Sequence, residues 1–345
     1  MGLVFNRSAH LRGHGRASPW KQILANEVCR DRGSVGGITV KNTKAQTPND
    51  QALGRMLKEE SRSLLKGLAI LIAMTSLSAC APGMQNVQST DAVTADSGAF
   101  IIGGQESNGQ EPFAQHIVAL YDLRGGSICT ASILSETILL TAAHCVVSPA
   151  SDLRVVFGTD VDSRSIIVKP VDAYQVSPLW SLRQFQEFNT GDIAIVKFSG
   201  GLPAGYKPIK FLSDASGLKD GQNVMLAGYG NSDGARGTGA GKLRYVVTQI
   251  KNSVFSKTEI LMEQSKGKGA CHGDSGGPAY IQVNGELVVI GVTSRGVDDA
   301  KNDCSVSAAY TSVPYYSNWI RRTSDALNQP VPPSRPVRAP AIARR

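Results

Sequence analysis

Short apolar runs of strand length, separated by turn-forming residues, restrict the fold of this 345-residue chain more than any other feature. The clearest runs cover 117–121, 132–141, 153–158, 192–198, 223–227 and 286–292, and Gly, Asn, Asp and Pro lie between them. Short runs with turn signals at this spacing predict an all-β domain. At about 230 residues, that domain is long enough to bury a sizeable core.

A hydrolytic site is indicated by residues 271–278, which read Cys-His-Gly-Asp-Ser-Gly-Gly-Pro. The hydroxyl of Ser275 is a weak nucleophile until a base takes its proton, so it requires a histidine and a carboxylate from elsewhere in the chain. His144 ends an apolar run, and Asp192 opens another. Each feature alone has an ordinary structural explanation: a polar turn, a structural histidine beside a cysteine, a strand cap. Together they indicate nucleophilic catalysis.

In this order and with these neighbours, the three motifs resemble the trypsin/chymotrypsin family of serine endopeptidases, and the resemblance covers residues 101 to about 322. It implies two antiparallel six-stranded β-barrels, a site in the cleft between them and a C-terminal helix from about 315 to 327. His144, Asp192 and Ser275 are then the expected catalytic triad, and the backbone N–H groups of Gly273 and Ser275 the expected oxyanion hole.

The expected activity is hydrolysis of peptide bonds in protein or peptide substrates, without a cofactor or a metal. The alternative is a catalytically silent surface lipoprotein that uses the same fold to bind a partner. Covalent labelling of Ser275 distinguishes the two hypotheses.

The resemblance also implies activation by cleavage and two disulfides. Ile101 begins Ile-Ile-Gly-Gly, which resembles the family's activated N-terminus, and the α-amino group freed by cleavage after Phe100 is expected to pair with Asp274. The expected disulfides are Cys129–Cys145 and Cys271–Cys304, which require an oxidising compartment. Reduced, buried cysteines are the alternative.

The specificity pocket is expected to be formed by Gly269, Ser294, Gly296 and Ala308. Gly269 stands where trypsin-like relatives carry an aspartate, so we expect an apolar or aromatic side chain before the scissile bond. The insertion 297–303 leaves another possibility open, because its carboxylates are placed to reach the pocket and favour a basic side chain. These carboxylates belong to Asp298, Asp299 and Asp303.

Five segments are predicted along the chain. Residues 1–55 do not fit a signal peptide and are interpreted as a mis-annotated or disordered extension. Residues 56–79 read as a signal peptide because the apolar run 67–77 is shorter than the ~20 residues of a membrane-spanning helix. Residues 80–100 form a linker or pro-segment, 101–328 the protease domain, and 329–345 a disordered Pro/Arg tail.

Leu-Ser-Ala-Cys at 77–80 resembles a bacterial lipobox, so Cys80 is the expected lipidation site and a possible membrane anchor. An ordinary secretory signal cleaved near Ala79, or a buried helix, is the alternative. The expected location is therefore outside the cytoplasm, either lipid-anchored in a bacterial cell envelope or secreted after processing.

Charge does not indicate a nucleic-acid partner. The chain carries a net charge of +8, but residues 1–100 hold 12 basic and 7 acidic residues and 331–345 hold four arginines, which leaves −1 for 101–330. A basic surface is therefore not a property of the expected catalytic domain.

Overall fold

A computed structural model describes residues 101–329 of the chain. The predictions for residues 1–55, the signal peptide, the segment 80–100 with Cys80, and the tail from residue 330 onward fall outside the described residues. They therefore stay predictions.

The first half of the described domain is a closed β-barrel. A short strand β1 (Gln105–Glu106) precedes it. Six strands then follow in the order β2 (Ile117–Asp122), β3 (Ser127–Ile133), β4 (Ile138–Thr141), β5 (Leu153–Phe157), β6 (Ile167–Val176) and β7 (Ala194–Phe198). Around the barrel they run β2-β3-β4-β7-β6-β5, and each neighbouring pair is antiparallel. Closure removes both sheet edges, and the buried faces of the strands form one core.

The second half closes in the same way. The short strand β8 (Lys210–Phe211) leads into β9 (Asn223–Gly228), β10 (Arg244–Ser256), β11 (Glu259–Glu263), β12 (Pro278–Val283), β13 (Glu286–Val297) and β14 (Ser307–Ser312). The six longer strands run β9-β10-β11-β14-β13-β12 around the barrel, and β12 pairs with β9 to close it. The expected pair of six-stranded antiparallel barrels is confirmed.

Turn chemistry joins β12 to β13. Asn284 and Gly285 separate the paired ends Val283 and Glu286, and both turn residues have positive φ, at 52° and 83°. A two-residue turn with positive φ at both positions matches the twist of antiparallel strands, and Asn-Gly is its preferred sequence. The hairpin is therefore encoded locally.

One predicted strand was wrong in extent. The run 132–141 is a hairpin of β3 and β4, in which Ile133 pairs with Leu139 and the N–H of Leu134 donates to the carbonyl of Ile138 at 2.8 Å. Ser135 and Glu136 form its polar turn. Apolar residues on both sides of so short a turn made two strands look like one run.

Helices are few among the described residues. Three 3₁₀ turns cover Ala114–His116, Ala143–Cys145 and Ala150–Asp152, and the α-helices are α1 (Pro178–Arg183) and α2 (Val313–Asn328). Helix α2 matches the helix expected over about 315–327 and buries Val313, Tyr316 and Ile320 on one face. Within residues 101–329, neither α-helix has the length and apolar character needed to cross a bilayer.

Candidate active site

His144 lies in the 3₁₀ turn that directly follows β4 of the first barrel. Its Nδ1 is 2.7 Å from Asp192 Oδ2, and its backbone N–H donates to Asp192 Oδ1 at 3.0 Å. The disulfide Cys129–Cys145 ties this turn to β3. His144 is thus held in place by its ring, by its backbone N–H and by the disulfide of the adjacent Cys145.

Asp192 lies in the loop before β7 and is 2 % exposed. The second barrel supplies two further contacts: Ser294 Oγ donates to Oδ2 at 2.7 Å, and Thr311 Oγ1 donates to the Asp192 carbonyl at 2.8 Å. Gly191, just before it, has a φ of 71°, and a Cβ there would come within 2.5 Å of Leu179 Cβ. The turn that presents the carboxylate therefore requires glycine.

The two groups shift each other's proton affinity. Burial by itself lowers the pKa of His144, but the charge and hydrogen bond of Asp192 outweigh it, so that the pKa lies above its usual value. Burial raises the pKa of Asp192, but the charge and hydrogen bond of His144, with the bond from Ser294, hold that pKa below its usual value. The pair is therefore built to keep Asp192 ionised and to stabilise an imidazolium.

Ser275 lies in the turn between residue 271 and β12. Its carbonyl accepts a hydrogen bond from the N–H of Thr130, in the first barrel, at 2.8 Å. Ser275 and His144 line the same cavity, of about 390 Å³. Between Ser275 Oγ and the His144 ring the described residues show no hydrogen bond. In free enzymes, hydrogen bonds between a serine and its base are often long, and they shorten when substrate binds.

The turn at 273–276 exposes backbone donors. Gly273 has a φ of 100°, and a Cβ there would approach Gly230 Cα to 2.8 Å. Both the backbone conformation and the lack of space therefore require glycine. Neither the N–H of Gly273 nor that of Ser275 donates a hydrogen bond within residues 101–329. Two unused N–H groups next to the Ser275 hydroxyl are what an oxyanion hole needs.

Asp274 points away from this surface and is 1 % exposed. Its carboxylate accepts from the N–H groups of Gly230 and Cys271, each at 2.8 Å. Burial raises its pKa to about 7, and no ion pair involves it among the described residues. Ile101, with no exposed surface, is in the core of the second barrel.

The residue expected at the base of the specificity pocket does not line the cavity. Gly269 is absent from the residues that line the cavity, and a Cβ on it would lie 2.3 Å from the amide carbon of Gln264. The Gln264 side chain occupies that place and is held by hydrogen bonds to both backbone groups of Ala270 and to the carbonyl of Cys304. Gly269 therefore does not form the floor, because a buried amide covers it.

Ser294, Gly296 and Ala308 do line the cavity, as expected, and Asp299 joins them. Asp299 accepts from the N–H groups of Asp303 and Cys304 at 3.1 and 2.8 Å, and its Oδ2 lies 3.3 Å from the position of a Cβ on Gly296. No ion pair neutralises it within the described part of the chain. The cavity is therefore lined by a polar amide, from Gln264, and by a carboxylate, from Asp299.

Both expected disulfides are present, with S–S distances of 2.03 Å for Cys129–Cys145 and 2.09 Å for Cys271–Cys304. The second joins the turn before Ser275 to the loop that carries Asp299. Sequence reasoning missed Gln264 and Glu259, the buried partner of Arg295. Glu259 begins β11 and Gln264 directly follows it, and no motif in the sequence there indicates a role for either of them.

Comparison with known proteins agrees with this geometry. The family model described as Trypsin matches residues 101–320. Venom serine protease 34 of Apis mellifera is 25% identical over 253 residues, 66% of this chain and 59% of that protein. Trypsin alpha of Drosophila melanogaster is 27% identical over 216 residues, 59% of this chain and 80% of that protein. The chain thus spans less than two thirds of the length of the venom protease.

Proposed function

Because this chain belongs to the trypsin family, we propose that it is a serine endopeptidase in which His144, Asp192 and Ser275 form the catalytic triad. The observation that carries the proposal is the 2.7 Å contact between His144 Nδ1 and Asp192 Oδ2, on a ring that lines the same cavity as Ser275. With Nδ1 engaged, Nε2 is the nitrogen left to accept a proton from the serine hydroxyl.

The chemistry then follows in two halves. Ser275 Oγ attacks the peptide carbonyl carbon as His144 Nε2 takes its proton, and the oxyanion is bound by the N–H groups of Gly273 and Ser275. The imidazolium returns the proton to the leaving amine, which breaks the C–N bond and leaves an acyl ester on Ser275. Water, activated by the same imidazole, hydrolyses that ester and regenerates the serine.

A labelling experiment tests the triad. The active protein should react with a fluorophosphonate probe at one site, and the label should vanish in Ser275→Ala and fall by orders of magnitude in His144→Ala, because the residues act as a unit. Both variants should keep the circular dichroism spectrum of the parent. A folded, cleaved protein that takes up no label contradicts the proposal and favours the silent surface lipoprotein.

For the substrate, we propose a basic side chain before the scissile bond, in place of the apolar preference expected from Gly269. An unpaired carboxylate at Asp299 favours a cation, and an apolar side chain would desolvate it without compensation. Of the three aspartates in the insertion, only Asp299 lines the cavity.

We also propose that cleavage between Phe100 and Ile101 activates the enzyme. Two features support this: Asp274 is buried with a pKa raised to about 7, and the glycines at 228 and 230 leave room for its carboxylate, since a Cβ on either would lie within 2.4 Å of it. A new ammonium group at Ile101 would supply the missing cation. Ile101→Gly should weaken the docking of this terminus and lower activity. Full activity in a protein that still contains an intact 100–101 bond would contradict the activation step.

For location, we propose export directed by residues 56–79, with Cys80 lipidated, and release of the domain when the 100–101 bond is cut. The two disulfides support an oxidising compartment. Fractionation with N-terminal sequencing tests this: a membrane-bound form should begin at Cys80 and a soluble active form at Ile101. An active soluble form with another N-terminus would contradict it.

A further inference from the structure

Glu259 is a buried carboxylate outside the proposed triad that holds the triad's aspartate loop. It opens β11 and is 1 % exposed. Its Oε1 accepts from the N–H and Oγ1 of Thr190, both at 3.2 Å, and its Oε2 accepts from the N–H of Asn189 at 3.0 Å and from Ser256 Oγ at 3.0 Å. Asn189 and Thr190 stand three and two residues before Asp192, respectively.

The loop held in this way adopts a conformation that needs outside support. Asn189 has a φ of 56°, in the left-handed region that costs energy for a residue with a side chain. Its Oδ1 accepts from the N–H and Oγ1 of Thr258 at 3.1 and 3.2 Å. Both partners of this loop, Thr258 and Glu259, belong to the second barrel, while Asp192 leads into a strand of the first.

Arg295 completes the arrangement. Its Nη1 and Nη2 donate to the two carboxylate oxygens of Glu259, at 2.9 and 3.2 Å, and Nη2 also donates to the Glu187 carbonyl. A β-bulge separates Arg295 from Thr293 in β13, and Ser294, which donates to Asp192, lies within it. A bulge changes the direction of side chains, so that consecutive residues here serve the same aspartate loop.

From these contacts we propose that Glu259 and Arg295 are positioning residues, which hold the 189–192 turn and so keep Asp192 against His144. The proposal rests on the proposed function, in that it assumes Asp192 serves the triad. The buried Glu259 carboxylate requires a bidentate cation, and Arg295 supplies it.

Because Glu259 and Arg295 carry opposite charges, removing one or the other should change the pH dependence of kcat/KM in opposite ways. His144 is faced by Asp192 from its own barrel, and the cavity it lines holds three further charged or titratable residues, His272, Arg295 and Asp299. Arg295→Met leaves Glu259 as an unpaired anion near the triad and should raise the pKa of His144. Glu259→Gln leaves Arg295 as an unpaired cation and should lower it. The acid limb, which is the low-pH side of the pH profile of kcat/KM, reports the pKa of His144. It should move by about 0.5 pH unit, to higher pH in Arg295→Met and to lower pH in Glu259→Gln.

The positioning role predicts a fall in kcat. Glu259 does not line the cavity, so Glu259→Gln should lower kcat by about 10- to 100-fold with little change in KM. Arg295→Lys should recover the parent's acid limb and part of kcat, and the double variant Glu259→Gln/Arg295→Met should recover the acid limb alone. The surface pair Asp233 and Arg236, whose side chains are 31% and 83% exposed, provides the matched control, and Asp233→Asn/Arg236→Met should leave both quantities unchanged.

Two results would overturn the inference: a folded Glu259→Gln with the parent's kcat and acid limb, or single variants whose limbs shift in the same direction. If a single variant does not fold, the double variant carries the kcat test: its kcat should stay low although its acid limb matches the parent, and a kcat equal to that of the parent overturns the inference. If the parent is inactive, the proposed function fails separately. The downfield proton resonance of the His144–Asp192 hydrogen bond then decides: it should shift or broaden in Glu259→Gln, and an unchanged resonance overturns the positioning role.

Discussion

Asp299→Asn is the substitution that separates a basic from an apolar substrate preference. In the parent, an arginine side chain that enters the cavity meets the Asp299 carboxylate, which no other cation neutralises within residues 101–329. Loss of one partner from a buried, hydrogen-bonded charge pair costs about 2 to 5 kcal/mol, so kcat/KM for an arginine substrate should fall roughly 30- to 4,000-fold.

The assay compares peptide amides that differ only in the residue before the scissile bond, namely Arg, Lys, Phe and Leu. The parent should cleave after Arg and Lys faster than after Phe and Leu, and Asp299→Asn should remove most of that difference while leaving the Phe and Leu rates within a few-fold. Asp298→Asn is the matched control, because Asp298 is adjacent, exposed and absent from the cavity lining.

The asparagine variant also weakens a loop contact, because Asp299 accepts from the N–H groups of Asp303 and Cys304. If this structural role were the whole function of Asp299, all four substrates would lose rate by the same factor. Such a uniform loss, or a parent that prefers Phe over Arg, would refute the reasoning and restore the apolar preference.

Three further outcomes are expected. The kcat/KM value should rise with pH as His144 loses its proton, with a midpoint above its unperturbed pKa of about 6.5, because the charge of Asp192 outweighs burial; a rate that is flat from pH 5 to 9 would point to another base. The double variant Cys129→Ala/Cys145→Ala should lose about 3 kcal/mol of unfolding free energy in urea, from the 16-residue separation that the bridge closes; an unchanged midpoint would contradict this. Gly269→Asp should lower stability by about 1 to 3 kcal/mol and leave substrate preference unchanged, because the buried Gln264 amide beside it is held by three hydrogen bonds; a soluble variant with new trypsin-like preference would contradict this.

Local patterning explains why the sequence predicted an all-β domain, whereas the two barrels and the proposed triad were expected from the resemblance of three motifs to a known family. Apolar runs with turn residues between them encode strands within a few residues, and the Asn284-Gly285 turn encodes its own hairpin. His144, Asp192 and Ser275 each lie in a short motif whose neighbouring residues, such as Cys145, Gly191 and Gly273, suit the proposed role. The hairpin at 132–141 was misread because its polar turn is too short to interrupt an apolar pattern.

The pocket and the support of Asp192 depend on contacts between residues far apart in the chain. Gln264 covers Gly269, Asp299 enters the cavity from an inserted loop, and Glu259 reaches the turn before Asp192 across 69 residues. The sequence by itself determined the fold class and the residues suited to the chemistry, because strand patterning and motif neighbours are local. Only the tertiary structure decided which carboxylate lines the pocket and which ion pair supports the aspartate, since burial and hydrogen bonding between distant segments arise only when both barrels have closed.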